Sequence, residues 1–250
     1  IDMLDQISVV IITRDAAATL AETLKSTRGF AEVVVYDNGS DDATIEIAQA
    51  HENVSLHEGD FMGFGPTKNH AVSLAKNDWV LSLDADEEVS AELTQFLEQW
   101  KPGSDDCVGV IRRDNYMMGK LVDKGGWGAD WLVRLFNRNV HRFNDNAVHE
   151  SVQLSATSVQ EKIPAPIRHN AVQHLGQFLQ KIDRYSEIRR QTSSKTMHPA
   201  LIVLRSFFAF FRSYIIRGGV LAGWRGLVIA WNESNGVFFK YMKVYADRDH

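Results

Sequence analysis

The stretch VLSLDADEEV, residues 80–89, decides how this chain is read. An apolar run ends abruptly in four acids within five positions, Asp84, Asp86, Glu87 and Glu88. A short apolar run bounded in this way reads as a strand buried on both faces. Folding alone has little use for so much negative charge at the end of a buried strand, so the acids are expected to hold something. In an extended segment, residues two apart point the same way. Asp84 and Asp86 are therefore placed to share one divalent cation. Mg²⁺ and Mn²⁺ take hard oxygen ligands and bridge protein carboxylates to substrate phosphates. The plain alternative is an exposed acidic turn that caps the next helix.

Working outward, the same rhythm repeats. ISVVIIT (7–13), EVVVYD (32–37), NVSLHE (53–58) and WVLSLDAD (79–86) read as strands. AATLAETLKST (17–27), DDATIEIAQAH (41–51), GPTKNHAVSLAK (65–76) and SAELTQFLEQW (90–100) read as helices. The second of these opens with acids in its first turn. The third carries Pro66 where proline is tolerated, and the fourth has Ser90 as its N-cap. Strand–helix repeated four times predicts an α/β fold with an open, mainly parallel sheet. Ligands bind such sheets outside the carboxyl ends of the strands, and Thr13, Asp37, Glu58 and Asp84 all fall there. After Pro102 the rhythm changes. CVGVIRRDNYMMGKLV (107–122) and DWLVRLFNR (130–138) predict further strands that complete the sheet. From Ala171 the chain is expected to form a mainly helical appendage.

The bulk numbers fit this reading. A chain of 250 residues makes one large domain, or one domain with an appendage. The single cysteine, Cys107, excludes a disulfide framework and fits a reducing compartment. No basic–apolar–small pattern at the N-terminus predicts a signal peptide. The net charge of -5 conceals an asymmetry: residues 181–250 carry 12 Lys+Arg and 5 Asp+Glu. A basic tail on an acidic body is expected to face something anionic. Its most apolar part, residues 200–231, has no uninterrupted run of the ~20 residues that a membrane span needs. Arg205, Arg212, Arg217 and Arg225 break it, and Phe207, Phe208, Phe210, Phe211 and Ile215 cover much of the rest. The pattern predicts an interfacial helix on an anionic membrane surface. The alternative is a helix buried against the body or in a homo-oligomer. No recognised nucleic-acid motif is present, so no nucleic acid is expected.

No glycine loop holds phosphates here. A dinucleotide-binding turn would need G-x-G-x-x-G after the first strand, and the sequence there is TRDAAATL (13–20). This also disfavours a sugar-phosphate nucleotidyltransferase, which would want a glycine-rich basic loop at that point. YDNGSDDAT (36–44) offers Asp37 and Asn38, either as an Asx-type turn or with Asp37 accepting hydrogen bonds from a base or ribose. GFGPTKNHA (63–71) places Lys68 near a helix start, where a solvated lysine is the plain reading.

Together, SVVIITRD, VVVYDNGSDDAT, GPTKNHA and WVLSLDADEE, in this order, resemble the nucleotide-sugar domain of family 2 glycosyltransferases, the inverting type with a GT-A fold. The finer pattern is similar to the bacterial branch that builds the lipopolysaccharide core by adding glucose or a related sugar to an inner-core heptose. The resemblance implies a catalytic domain over residues 1–175, with 6–100 binding the nucleotide-sugar and 101–175 the acceptor, and a basic helical region over 176–250. It implies a UDP-sugar donor held by Thr13, Asp15, Asp37, Asn38, Lys68, Asp84 and Ala85. Family members usually read TKNE or similar where this chain reads TRDA. It implies Mn²⁺ or Mg²⁺ on Asp86 and Asp84, completed by a late histidine, His174, with His169 and His149 as alternatives. WGADWLVRLFNRNVHRFNDNAVHESV (127–152) resembles the acceptor side. There Glu150 is the candidate general base and Asp130 its competitor, while Trp127 and Trp131 flank the acceptor. A glycolipid acceptor implies a cytoplasmic protein, peripheral on the inner membrane. The rival from another class is a non-catalytic, membrane-associated protein that binds a nucleotide-sugar or glycolipid.

Overall fold

The computed structural model describes residues 2–128, 130–192 and 196–247. In chain order the elements are β1 Ile7–Thr13, α1 Leu20–Ser26, β2 Glu32–Asp37, α2 Thr44–Gln49, β3 Val54–Glu58, α3 Phe64–Ser73, β4 Trp79–Asp84, β5 Glu87–Val89, α4 Ala91–Gln99 and β6 Cys107–Met117. These are followed by β7 Lys120–Leu121, β8 Asp130–Asn137, β9 Val159–Val172, α5 Gly176–Thr192, α6 Pro199–Phe211 and α7 Gly223–Ala246. The chain divides into two compact units. The first is Ile1–Asp114 with Asp130–His169; the second is Asn115–Ala129 with Asn170–His250.

The first unit holds the sheet, in the order β3-β2-β1-β4-β8-β6-β9-β5. β1, β2, β3 and β4 pair in parallel, as the repeated strand–helix rhythm predicts. β8 pairs antiparallel with β4 and β6, completing the sheet with strands from the second half of the chain. β1 and β4 lie at its centre, and all but one residue of each is buried. One apolar layer gathers Ile7, Val9, Ile11, Leu81 and Leu83 with Leu20, Leu24, Leu93 and Leu97 of the helices. The other gathers Val10, Val34 and Val80 with Ala71 and Val72 of α3. Alternate residues of each strand feed the two layers, which is why these strands read as continuous apolar runs. Ser90 caps α4 as expected, its hydroxyl accepting the Leu93 N–H at 3.1 Å.

Two strands depart from the sequence reading. β9 continues to Val172, past the point where the helical tail was expected to begin. Pro164 and Pro166 mask it in the sequence, but Ile163, Ala165 and Ile167 take the alternate buried positions. β5 is the other: Glu87, Glu88 and Val89 pair with His169, Arg168 and Ile167 of β9. Half of the acidic run is thus a short edge strand, not a turn.

The second unit contains β7, which pairs with the end of β6, and the helices α5, α6 and α7. Its core joins Met117, Val122 and Val172 to Phe178 of α5 and Ile229 of α7. α6 runs on through a π-helical turn at Arg212–Ile216. The combined helix Pro199–Ile216 is long and apolar enough, by length and composition, to cross a membrane.

Candidate active site

The site is built at the carboxyl ends of the parallel strands, where crossover loops converge. The loops after β1 and β2 are tied together. Asp15 takes a left-handed backbone conformation, φ 49°. Its N–H donates to Ser40 Oγ at 2.8 Å, and its Oδ1 accepts the Asp41 N–H at 2.9 Å. Asp37 is fully buried, and its carboxylate accepts the N–H groups of Gly39 and Ser40 and the Ser40 hydroxyl. These contacts make the Asx-type turn, its oxygens closing the turn. Asn38 donates its side-chain N–H to the Gly59 carbonyl at 3.1 Å. Thr13 keeps a buried hydroxyl without a hydrogen-bond partner.

At the end of β4 the acids separate by role. Each oxygen of Asp84 is engaged by a cation, while its side chain remains 34% exposed. Its Oδ1 accepts from Lys68 Nζ at 2.9 Å and its Oδ2 from Arg134 at 2.9 Å. Burial opposes a charge on Asp84, but Arg134 and Lys68 together outweigh it and hold the carboxyl well below the usual range. Lys68, only 4% exposed, reaches from α3 to Asp84 and also to Glu150 Oε1 at 2.8 Å. Burial works against the Lys68 ammonium, and the carboxylates of Asp84 and Glu150 raise its pKa regardless. Arg134, on β8, bridges Asp84 to the fully buried Glu87 of β5 at 2.5 Å. Burial, with Asp84 beside it, pushes Glu87 upward. Ala85 is engaged through its carbonyl, which accepts from the Thr23 hydroxyl at 3.0 Å.

Asp86 points elsewhere. Its Oδ2 lies 3.3 Å from His169 Nε2, and its side chain is 37% exposed. Two adjacent ligands on an octahedral ion with bonds of about 2.1 Å lie about 3.0 Å apart, so this pair fits two neighbouring corners of one divalent cation. A carboxylate oxygen beside an imidazole suits Mn²⁺. Among the described residues no three His, Cys, Asp or Glu groups converge as a metal site. The pair Asp86 and His169 fits two corners of such an ion.

The second half of the chain supplies the other wall. Glu150 follows His149, whose backbone is left-handed at φ 62°. Its loop is zipped to the start of α3: Phe64 and Gly65 N–H donate to the Ala147 and Asn146 carbonyls, and Asn69 bonds both backbone groups of Phe143. Asp130, on β8, is paired with Arg113 at 2.8 Å, and Arg113 also approaches Glu87 at 3.5 Å. Trp131 is 42% exposed, with Lys162 over its ring at 5.1 Å. Trp127 and His174 fall in the second unit, where Trp127 stacks near Phe178. The structure thus brings together Lys68, Asp84, Glu150, Asp86 and, of the alternative histidines, His169. Sequence reasoning missed Glu87, Arg113 and Arg134. For Arg134 the available signal was an arginine inside the apolar run WLVRLF of β8, since a buried arginine needs a carboxylate partner.

Comparison with known proteins bears on the family. An uncharacterized glycosyltransferase of Rickettsia felis is 38% identical over 96 residues, 38% of this chain and 34% of the relative. The chain thus spans about a third of the length of the first curated relatives it matches, 34% and 32%. The lipopolysaccharide core biosynthesis glycosyltransferase LpsC of Rhizobium meliloti is 23% identical over 249 residues, covering 96% of this chain and 92% of that one. Among solved structures, S. aureus TarS 1-349 in complex with UDP-GlcNAc aligns over 98% of this chain and 92% of its own, with 13% identity and a TM-score of 0.46. A family model of glycosyl transferase family 2 matches residues 8–158, from the second residue of β1 to beyond Glu150, and the chain belongs to that family.

Proposed function

We propose that this chain is an inverting, metal-dependent transferase that moves a sugar, expected to be glucose, from a UDP-sugar to a hydroxyl of a lipopolysaccharide-core or related glycolipid. The observation that carries the reading is the division of labour among the acids after β4. Asp84 is held between Lys68 and Arg134, while Asp86, its side chain 37% exposed, lies 3.3 Å from His169. Mn²⁺ or Mg²⁺ bound there would neutralise the departing diphosphate. The tied loops around Asp15, Asp37 and Asn38 form a rigid rim where a nucleoside can dock without its own glycine loop. Glu150 takes the proton of the acceptor hydroxyl as that oxygen bonds to the anomeric carbon and the bond to the diphosphate breaks on the opposite face. Lys68 orients Glu150 through its 2.8 Å contact. Glu150 is preferred to Asp130 because the Lys68 bridge fixes it beside Asp84. Trp131 offers an exposed ring for the acceptor sugar. The name and near-full-length match of LpsC support the acceptor class. Such an acceptor places the protein on the cytoplasmic side of a membrane.

The test is a thermal-shift screen of UDP, GDP, CMP and their sugars, with and without Mn²⁺ or Mg²⁺. A ligand that binds only the folded state raises its melting point by mass action. The expected result is a metal-dependent shift with UDP that disappears in Asp86→Ala. A folded sample that responds to no nucleotide would overturn the reading.

A further inference from the structure

We propose that the α6 face of the second unit is a docking surface for an anionic lipid bilayer, lying in the interface with its outer side chains among the acyl chains. The argument uses the second unit alone and does not depend on the transferase reading. α6 and the π-helical turn after it have two opposed sides. Ile202, Ser206, Ala209 and Ser213 are buried. Ser206 donates its hydroxyl to the Ser234 carbonyl of α7 at 2.6 Å, and Ser234 returns the bond to the Ser206 carbonyl at 3.0 Å. The other side holds Leu204, Phe207, Phe208 and Phe211, each between 51% and 66% exposed. At about 100° per residue these side chains belong to an uncharged arc spanning roughly half of the helix circumference. Leu221, 77% exposed in the turn before α7, continues the same apolar character. Soluble proteins leave single large apolar residues exposed, but a contiguous patch of this kind marks an interaction surface.

The charge pattern names the occupant. Residues 199–231 contain four arginines and no acid. Arg205 and Arg212, both exposed, lie at one border of the apolar arc, between it and the buried stripe. That is where a helix lying in a bilayer surface meets anionic headgroups. An apolar arc bordered by cations alone complements an anionic lipid surface. A second copy of this chain would bring the same arginines against themselves.

The helix lies on the bilayer and does not cross it, although Pro199–Ile216 has the length. α6 is fixed along α7 by the paired serines. α7 carries Asn232, Glu233, Ser234 and Asn235 halfway along, beside that contact. Drawing α6 through the hydrocarbon core would take these polar groups with it, at several kcal/mol for each unpaired one.

The experiment is co-sedimentation of the full chain with phosphatidylcholine vesicles and with vesicles that also contain phosphatidylglycerol. Tryptophan emission is followed as a second readout, since Trp224 and Trp231 are exposed on the same unit. The expected result is binding to the mixed vesicles with a blue shift, and little binding to phosphatidylcholine alone. F207S/F211S should abolish the blue shift. R205E/R212E should lower the affinity by about fivefold or more for each arginine. All four side chains are exposed, so both variants should keep the wild-type melting point, which is checked directly. Failure to bind either vesicle would overturn the proposal. So would binding unchanged in both variants, or a concentration-dependent dimer that F207S/F211S dissolves. The donor screen reads the first unit, so its failure and the failure of vesicle binding are separately visible.

Discussion

At the scale of single residues, the site rests on which carboxylate is already engaged. Asp84, Glu87 and Glu150 share two buried cations, Lys68 and Arg134, while Asp86 faces the imidazole of His169 at 3.3 Å. Asp86→Ala and His169→Ala are each expected to weaken Mn²⁺ binding, measured calorimetrically in the presence of UDP, by about tenfold or more. Asp84→Asn should instead act mainly on stability, because it strips a partner from two buried cations. For the base, Glu150→Gln should lower kcat by about 10²–10⁴-fold with UDP binding retained. Asp130→Asn should leave most of kcat in place, and the reverse ranking would move the base to Asp130. Arg134→Met takes its nearest cation from the fully buried Glu87 and one of two from Asp84, and should cost about 3–5 kcal/mol in denaturant unfolding. Much of this was legible beforehand. DAD at a strand end and Lys68 near a helix start could be read from residue type and position, whereas Glu150 in VHE rested on the family resemblance. What could not be read was pairing. Arg134 meets Asp84 across 50 positions and Glu87 across 47, and such contacts leave no periodic trace in a sequence. The pairing of β5 with β9, which brings His169 opposite Glu87, is a contact of the same long-range kind.

At the scale of elements, α3 joins the two halves of the site. Lys68 leaves this helix, and the Glu150 loop is stitched to its first turn through Phe64, Gly65 and Asn69. Gly65 is where backbone meets backbone: a Cβ there would stand 1.9 Å from the Asn144 carbonyl oxygen. Gly65→Ala must therefore push the loop away from α3. The expected outcome is a loss of about 1–3 kcal/mol in stability and a fall in kcat larger than any change in the KM for donor, since Glu150 loses its register with Lys68. Steady-state kinetics and urea unfolding of the same variant check both parts. Asn69→Ala, which frees both backbone groups of Phe143, should move the same readouts in the same direction. The element order itself was readable because β1, β2 and β4 are mostly apolar runs and helical spacing recurs between the strands, with Ser90 as a start signal for α4. β5 and β9 escaped because one is three residues of mostly acidic sequence and the other contains two prolines. Propensity argues against both, and tertiary pairing overrides it.

At the scale of the whole molecule, the chain's division into units does not follow a single cut. Residues 115–129 belong with the C-terminal helices, although they lie between strands of the first unit. Composition alone points to one boundary near residue 175, because the basic, apolar tail starts there; it carries no sign that Met117 and Val122 are core residues of that tail's unit. In the structure Met117, Val122 and Val172 are buried with Phe178 and Ile229, which come from α5 and α7. A chain ended at residue 175 would keep every strand but remove both partners. Each buried apolar side chain contributes about 1.5–3 kcal/mol, so the three left behind become an exposed apolar surface on a strand end and a loop. The truncated protein is expected to bind a hydrophobic dye, to melt at lower temperature than the full chain and to aggregate on concentration. The controls are Phe178→Ala and Ile229→Ala in the full chain, each expected to cost about 2–5 kcal/mol. A truncated chain that stays monomeric, binds no dye and melts as the full chain does would show that residues 115–129 need no helical partner, and that the second unit is not a folding unit in its own right.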